Sequence, residues 1–380
     1  MDIKKILKEM IARGASDLHL KVATPPCFRI NGSLVFADYE PPSIQDMAAV
    51  TQQILAPGQR EVFENTKEID FAFGVPGVAR FRANFYLQRG SVAMVFRHVP
   101  VEIQTPDELG LPPVVKELAL RPRGLILVTG TVGSGKSTTL ASLVDIINRE
   151  SARHVITIED PIEFLHRDRM SIISQREIGC DTGSYAEALK HVLRQDPDAI
   201  LIGEIRDAES MKIALTAADT GHLVLSTMHT TDAAQTISRI ISFFPPHQHQ
   251  EIRYLLASTL QAVASQRLVA DPRGNGRFPA VEVMINTGTI KDFIRDPEKT
   301  VMIRQAIQEG VVQYRMQTFD QSLMQLYKQE KISLEAAIHA SSNPHEFSLR
   351  LKGIQGSSDT TWDQFEKGDG AKAEVPEGLR

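Results

Sequence analysis

Residues 124–140 read GLILVTGTVGSGKSTTL, and the reading of this stretch decides the fold. The apolar run LILV is a short buried strand. Gly130-x-x-x-x-Gly135-Lys136-Ser137 follows it, and TTLASLVDIIN continues as a helix. This is the P-loop pattern in the strand–loop–helix setting that its mechanism needs. Gly130, Gly133 and Gly135 let the backbone wrap closely and aim its N–H groups at phosphates. Thr131, Val132 and Ser134 complete the loop, and Thr138 follows in the first turn of the helix. Lys136 is expected to reach the β- and γ-phosphates of ATP, and Ser137 to ligand Mg²⁺. The competing reading is a glycine-rich turn that binds nothing, which leaves the lysine and its setting unexplained.

A phosphate loop of this kind needs an acid at the end of a neighbouring strand. Residues 154–163, HVITIEDPIE, are a β-branched strand with Glu159, Asp160 and Glu163 just past its end. Residues 198–207, DAILIGEIRD, carry the apolar strand AILI into Gly203-Glu204. Residues 222–233, HLVLSTMHTTDA, place His222 before a third strand and Thr227, His229 and Thr230 at its end. Continuous apolar runs mark parallel strands buried on both faces, and ligands in such sheets sit at the carboxyl ends of the strands. A single strand-end histidine is often structural, but three strands delivering polar residues to one edge point to a site. Glu163 and Glu204 are both strand-end acids, and their roles can be exchanged. Asp198 stands before its strand.

The first hundred residues read as a smaller α+β domain with a mainly antiparallel sheet. Ile3, Ile6, Leu7, Met10 and Ile11 fall at helical spacing with lysines between them, and Gly14 stops the helix. Such a helix either lies on a membrane surface or docks on its own domain, and docking is expected. Asp17–Val22 alternates as a half-buried strand, Pro25 and Pro26 break it, and Asn31-Gly32 turns a hairpin. Residues 43–66 read as two helices parted by Pro57-Gly58, and 68–75 and 78–99 alternate again. In the last of these runs Arg80 and Arg82 share one strand face, and the return strand can bring Arg97 beside them. That row is either a solvated face or an anion-facing cluster, since arginine suits phosphate geometry. Residues 101–112, with Pro106 and Pro112, read as a linker, 113–355 as the second domain, completed after residue 247 by helical segments, and 356–380 as a disordered polar tail holding Trp362.

Composition limits the alternatives. The 380 residues are 42% hydrophobic and 23% charged, which is globular usage and excludes collagen-like or wholly disordered chains. A net charge of −5 argues against a dedicated nucleic-acid binder. Cys27 and Cys180 are too few for a disulfide framework or a four-cysteine zinc site. No run of 18 apolar residues exists to span a bilayer.

Taken together, GTVGSGKST, ITIEDPIEF, LRQDPDAILIGEIRD and TGHLVLSTMHTTDA resemble, in order and spacing, the Walker A, acidic, Walker B and histidine boxes of the secretion-superfamily ATPases that power type IV pili and type II secretion. ASDLHL, RFRANFYLQR and MQTFDQSLMQLY are similar to the pilus-retraction branch, the PilT family. The resemblance covers about residues 1–352. It implies a PAS-like domain at 1–100, a RecA-like α/β ATPase domain, and a homo-hexameric ring on the cytoplasmic side of the inner membrane. Retraction is favoured over extension, because the four-cysteine motif and long N-terminal extension of the pilus-assembly relatives are absent. The segment Thr289–Asp296 departs from the retraction pattern AIRNLIRE and leans toward the PilU-like accessory paralogue.

The resemblance also implies residue roles. Lys136 and Mg²⁺ neutralise the γ-phosphate, Glu204 orders the metal shell with Ser137, and Glu163 polarises the attacking water. His229 contacts the γ-phosphate region, and Arg82 and Arg97 are arginine fingers from an N-terminal domain that folds over the nucleotide. The implied partners are other copies of the chain, the inner-membrane platform protein and a paralogous retraction ATPase, with no nucleic acid. A nucleic-acid translocase and a non-hydrolysing paralogue are the competing classes; the charge balance opposes the first and the intact acidic boxes the second.

Overall fold

The structure is a computed structural model and describes residues 1–30, 32–100, 102–274 and 276–351. Asn31 of the expected turn, and the expected tail with Trp362, lie outside the described residues. The chain divides into two compact units, Met1–Glu102 with Glu163–Leu165, and Ile103–Ile162 with the chain from His166 onward.

The first unit runs α1 (Ile3–Ala12), β1 (Asp17–Lys21), β2 (Thr24–Ile30), β3 (Ser33–Phe36), α2 (Ile44–Ile54), α3 (Pro57–Thr66), β4 (Glu68–Val75), β5 (Ala79–Gln88) and β6 (Ser91–Val99). Its sheet has the order β3-β2-β1-β6-β5-β4, antiparallel throughout. The amphipathic helix docks on its own unit: Ile3, Ile6, Leu7 and Met10 are buried in the same core as Phe28, Phe81, Phe85 and Phe96. Asp2 accepts the Lys5 N–H at its N-terminus, and Gly14 ends it at φ 63°. Along β5, Phe81, Ala83 and Phe85 point into this core, so Arg80, Arg82 and Asn84 take the opposite face. Phe85 meets Phe96 edge-on at 5.6 Å.

Pro25 and Pro26 do not break the first strand. Ala23, at φ 59°, makes the turn, and both prolines lie within β2. There the register shifts: His19 pairs with Cys27 and Lys21 with Thr24, so two prolines oppose one residue. A bulge is where a strand tolerates a residue with no N–H.

The second unit runs α4 (Pro113–Ala119), β7 (Gly124–Thr129), α5 (Lys136–Glu150), β8 (His154–Glu159), β9 (Ile172–Glu177), α6 (Tyr185–Val192), β10 (Ala199–Ile202), α7 (Ala208–Asp219), β11 (Leu223–Met228), α8 (Ala233–Ser242), α9 (His249–Thr259), β12 (Leu260–Ala270), β13 (Arg277–Ile285), α10 (Gly288–Arg295), α11 (Ile303–Glu309), α12 (Val311–Tyr314), α13 (Phe319–Lys328), α14 (Leu334–Ala340) and α15 (Pro344–Leu351). Within the segment expected as a linker, Leu111 is buried in the core of this unit. The sheet order is β13-β12-β7-β11-β10-β8-β9, parallel except for β12–β13. Every residue of β7, β10 and β11 is buried. One face packs Ile126 and Val128 against α4 and α5; the other packs Leu125 and Leu127 against α6 to α11. The α/β class is therefore that of a RecA-like P-loop domain.

The region after residue 247 is not all helical. β12 and β13 form there, and β12 lies directly beside β7. Its sequence, LQAVASQRLVA, suits a helix or a buried strand equally well by pattern, and only pairing across the sheet decides between them. Among the described residues no helix is long and apolar enough to cross a membrane.

Leu7 is fully buried, so Leu7→Ala is expected to lower stability by about 2–5 kcal/mol. Urea unfolding of parent and variant reads the difference; an unchanged midpoint contradicts docking of α1.

Candidate functional site

The phosphate loop turns between β7 and α5 with Gly130 at φ 146°, Gly133 at 76° and Gly135 at 91°. At Gly130 an added Cβ would stand 2.5 Å from both the Gln266 carbonyl and Ser134 Oγ. The loop thus lies against β12, and only glycine permits that approach. β12 supports the loop further: Thr129 Oγ1 donates to Ser265 Oγ at 2.8 Å, and Gln266 Nε2 donates to Thr139 Oγ1 at 2.8 Å. Gln266 and Ser265 carry no local sequence signal, because their function is to face a strand over a hundred residues earlier.

Lys136 is buried, and its Nζ donates to the carbonyls of Gly130 and Thr131 at 2.9 Å each. The ammonium is thereby held across the mouth of the loop. Ser137 and Thr131 are exposed, Thr138 is half-buried, and Val132 is 87% exposed at the apex of the loop. Ser134 Oγ is buried without a hydrogen-bond partner.

Two strands over from β7, β10 ends at Gly203-Glu204. Glu204 is 15% exposed in its side chain and takes an ion pair from Arg206; its Oε2 lies 3.1 Å from His229 Nε2. The structure therefore brings Glu204 and His229 together, and adds Arg206. The spacing of Glu204 and Arg206 by two residues is the signal that could have found it. The two threonines near His229 are committed elsewhere: Thr227 Oγ1 donates to the Gly203 carbonyl at 2.7 Å, and Thr230 shares a 2.6 Å hydroxyl contact with Thr236.

Gly203 has its own reason. A Cβ there would lie 2.8 Å from the Tyr185 hydroxyl. Burial first, then Asp160, Glu204 and Glu159, pushes the Tyr185 phenol up, so it stays neutral beside these acids. Glu159 accepts from Thr157 Oγ1 at 2.7 Å and Gln175 Nε2 at 3.2 Å. Glu163 is exposed and belongs, with Phe164 and Leu165, to the first unit, where the Leu165 N–H donates to the Pro100 carbonyl.

In the first unit Arg82 and Arg97 are direct cross-strand partners. Arg97 pairs in turn with Asp17, to which its Nε donates at 2.8 Å, and Asp17 with Arg29. The sequence places Asp17 on the polar side of a half-buried strand; the structure buries it beneath these arginines. Arg97 nonetheless keeps 63% of its side chain exposed.

The chain matches the family described as "Type II/IV secretion system protein" over residues 1–364. It is 44% identical to the type IV pilus retraction ATPase PilT of Pseudomonas aeruginosa over 91% of this chain and all of that one. The chain belongs to this family, in its PilT branch of pilus-retraction ATPases. It is also 39% identical to the type IV pilus ATPase PilU of the same organism, over 93% of this chain and 92% of the relative. The crystal structure of the pilus retraction motor PilT with bound ADP superposes with a TM-score of 0.85 at 46% identity, covering 91% of this chain and 98% of that one. The PilT-family chain is an ATPase.

One further carboxyl lies close behind the site. Glu282 of β13 is buried, and burial pushes its pKa from 4.5 up to about 7 against the lesser pull of the Ala233 N–H and of Arg267. A carboxyl whose pKa is raised on folding stabilises the fold most below its unfolded value and loses that contribution as pH climbs to the folded one. Between pH 4.5 and 7 the loss is about 3 kcal/mol. Glu282→Gln is expected to remove this slope. Melting at pH 5 and pH 8 checks it, and an equal decline in parent and variant contradicts it.

Proposed function

We propose that this chain is the ATP-hydrolysing motor of type IV pilus retraction, assembled as a homo-hexameric ring at the cytoplasmic face of the inner membrane. It would work there on the pilus platform protein. The observation that carries the reading is the Lys136 ammonium on its own loop carbonyls, in a sheet whose next strands deliver Glu204 and His229, 3.1 Å apart. Phosphoryl transfer to water asks for neutralised charge and a positioned nucleophile rather than for covalent chemistry.

The residues also fit Mg²⁺. Ser137 is an exposed hydroxyl at the start of α5 and Glu204 a carboxylate held by neighbours, which are hard oxygen donors. Bound there, Mg²⁺ supplies charge neutralisation. Lys136 leaves the carbonyls of Gly130 and Thr131 for the β- and γ-phosphates, and the N–H groups of Gly133 to Thr138 bind the phosphate oxygens. Glu204 orders the metal shell and Glu163 polarises the attacking water, two roles that can be exchanged. His229 touches the γ-phosphate region. Arg82 and Arg97 act as fingers on the charge that develops in the transition state.

Domain limits of 1–100, 101–112 and 113–355 go with this reading. The accessory, PilU-like role is the second reading, favoured by Lys291 and Asp292 in α10. Retraction in cells lacking this chain, alone and together with any active paralogue, separates the two. Retraction that persists without this chain but is lost on deletion of the active paralogue alone supports the accessory role.

Lys136→Ala is expected to abolish hydrolysis, and Glu204→Ala to abolish it while a fluorescent ATP analogue still binds. Normal phosphate release by Glu204→Ala removes that residue from the reaction. Arg97→Ala is expected to slow kcat by about a hundredfold with far less effect on ATP binding, and Arg97→Lys to rescue poorly for want of the planar fork. Unchanged kcat in both Arg82→Ala and Arg97→Ala returns the row to a structural role with Asp17.

A further inference from the structure

A buried carboxyl ties the histidine box to the base of the phosphate loop. Glu282 pairs across the sheet with Ser265, and Ser265 with Thr129, the last residue before Gly130. Partners directly opposite one another share a sheet face, so Glu282, Ser265 and Thr129 stand in one row. Two members of the row are also joined through their side chains, Thr129 Oγ1 donating to Ser265 Oγ. From the end of this row Glu282 Oε1 accepts the N–H of Ala233 at 2.9 Å.

Ala233 is the first residue of α8, four positions after His229. Its N–H is one of those that a helix leaves unsatisfied at its start. Asp232, the residue before it, satisfies a different one, accepting from Gln235. Glu282 is thus a second anchor, reaching from another strand. Among the described residues Glu282 has no ion pair to neutralise it: Arg267 Nη1 donates to the Ala340 carbonyl and its guanidinium lies 3.8 Å over Phe319, while Arg304 pairs with Asp320. Asp232, Arg267 and Arg304 are the charged groups that face it.

We propose that Glu282 is a positioning residue of the nucleotide site: by holding the first turn of α8 it fixes the segment from His229 to Asp232, so that His229 faces Glu204. The proposal rests on the reading that His229 acts at the γ-phosphate. It makes the spacing between phosphate loop and histidine box a property of β13, the strand that also carries the contacts to α13 through Ser322.

A double-mutant cycle in the full chain tests it, with kcat and KM for ATP measured well below the melting temperature. Glu282→Ala is expected to lower kcat about tenfold with KM changed less than about threefold, because a misplaced group costs most in the transition state. Glu282→Gln, which keeps the acceptor oxygen, should restore most of the loss. If the carboxyl acts through His229, Glu282→Ala adds nothing to His229→Ala. Should Glu282→Ala fail to fold, Ala233→Pro removes the same hydrogen bond from the donor side, at the helix position that best tolerates proline. Multiplicative losses in the cycle, or unchanged kcat on removal of the bond, overturn the positioning role and leave the nucleotide reading intact. A His229→Ala chain with normal kcat instead overturns the reading on which it rests.

Discussion

The backbone of Gly130 lies against the carbonyl of Gln266 closely enough that any Cβ would collide with it. This contact fixes the height of the phosphate loop above the sheet, and much of the second unit follows from it. β12 must sit beside β7 to supply that carbonyl, and Ser265, Gln266 and Thr139 then lock the two strands and the loop helix together. Thr129, Ser265, Gln266 and Thr139 are tolerated as buried polar groups because each finds a partner in this set. On this frame the Lys136 ammonium rests on the carbonyls of Gly130 and Thr131.

The acids of the site divide by the same logic. Glu204 is held on two sides, by Arg206 and His229, and stays nearly enclosed. Glu163, four residues past the end of β8, is exposed and belongs to the first unit. Glu204 is therefore held by side chains of its own unit, whereas Glu163 lies in the other unit. The arginine row in the first unit shows a third arrangement: Asp17 is buried so that Arg97 is aimed, while most of the guanidinium side chain remains in solvent.

Much of the site was legible in the chain because its signals are local. A strand, a glycine loop, Lys136 and a helix are contiguous, and strand-end acids follow apolar runs that can only be buried. The alternation that sets Arg80 and Arg82 opposite Phe81 is likewise a property of four neighbouring residues. The docking of α1 was readable from the spacing of Ile3, Ile6, Leu7 and Met10.

What the tertiary structure decided is everything whose partner is remote. Whether LQAVASQRLVA became strand or helix depended on the open edge of β7, not on its own pattern. Gln266, Tyr185 and Glu282 acquire meaning only from Gly130, Gly203 and Ala233, far away along the chain. Asp17 became a buried anchor because β6 returned Arg97 beside it. Local spacing determines which face a side chain takes, because backbone periodicity is a short-range property. What that face meets is set by packing and pairing between distant segments, and no window of sequence contains both partners.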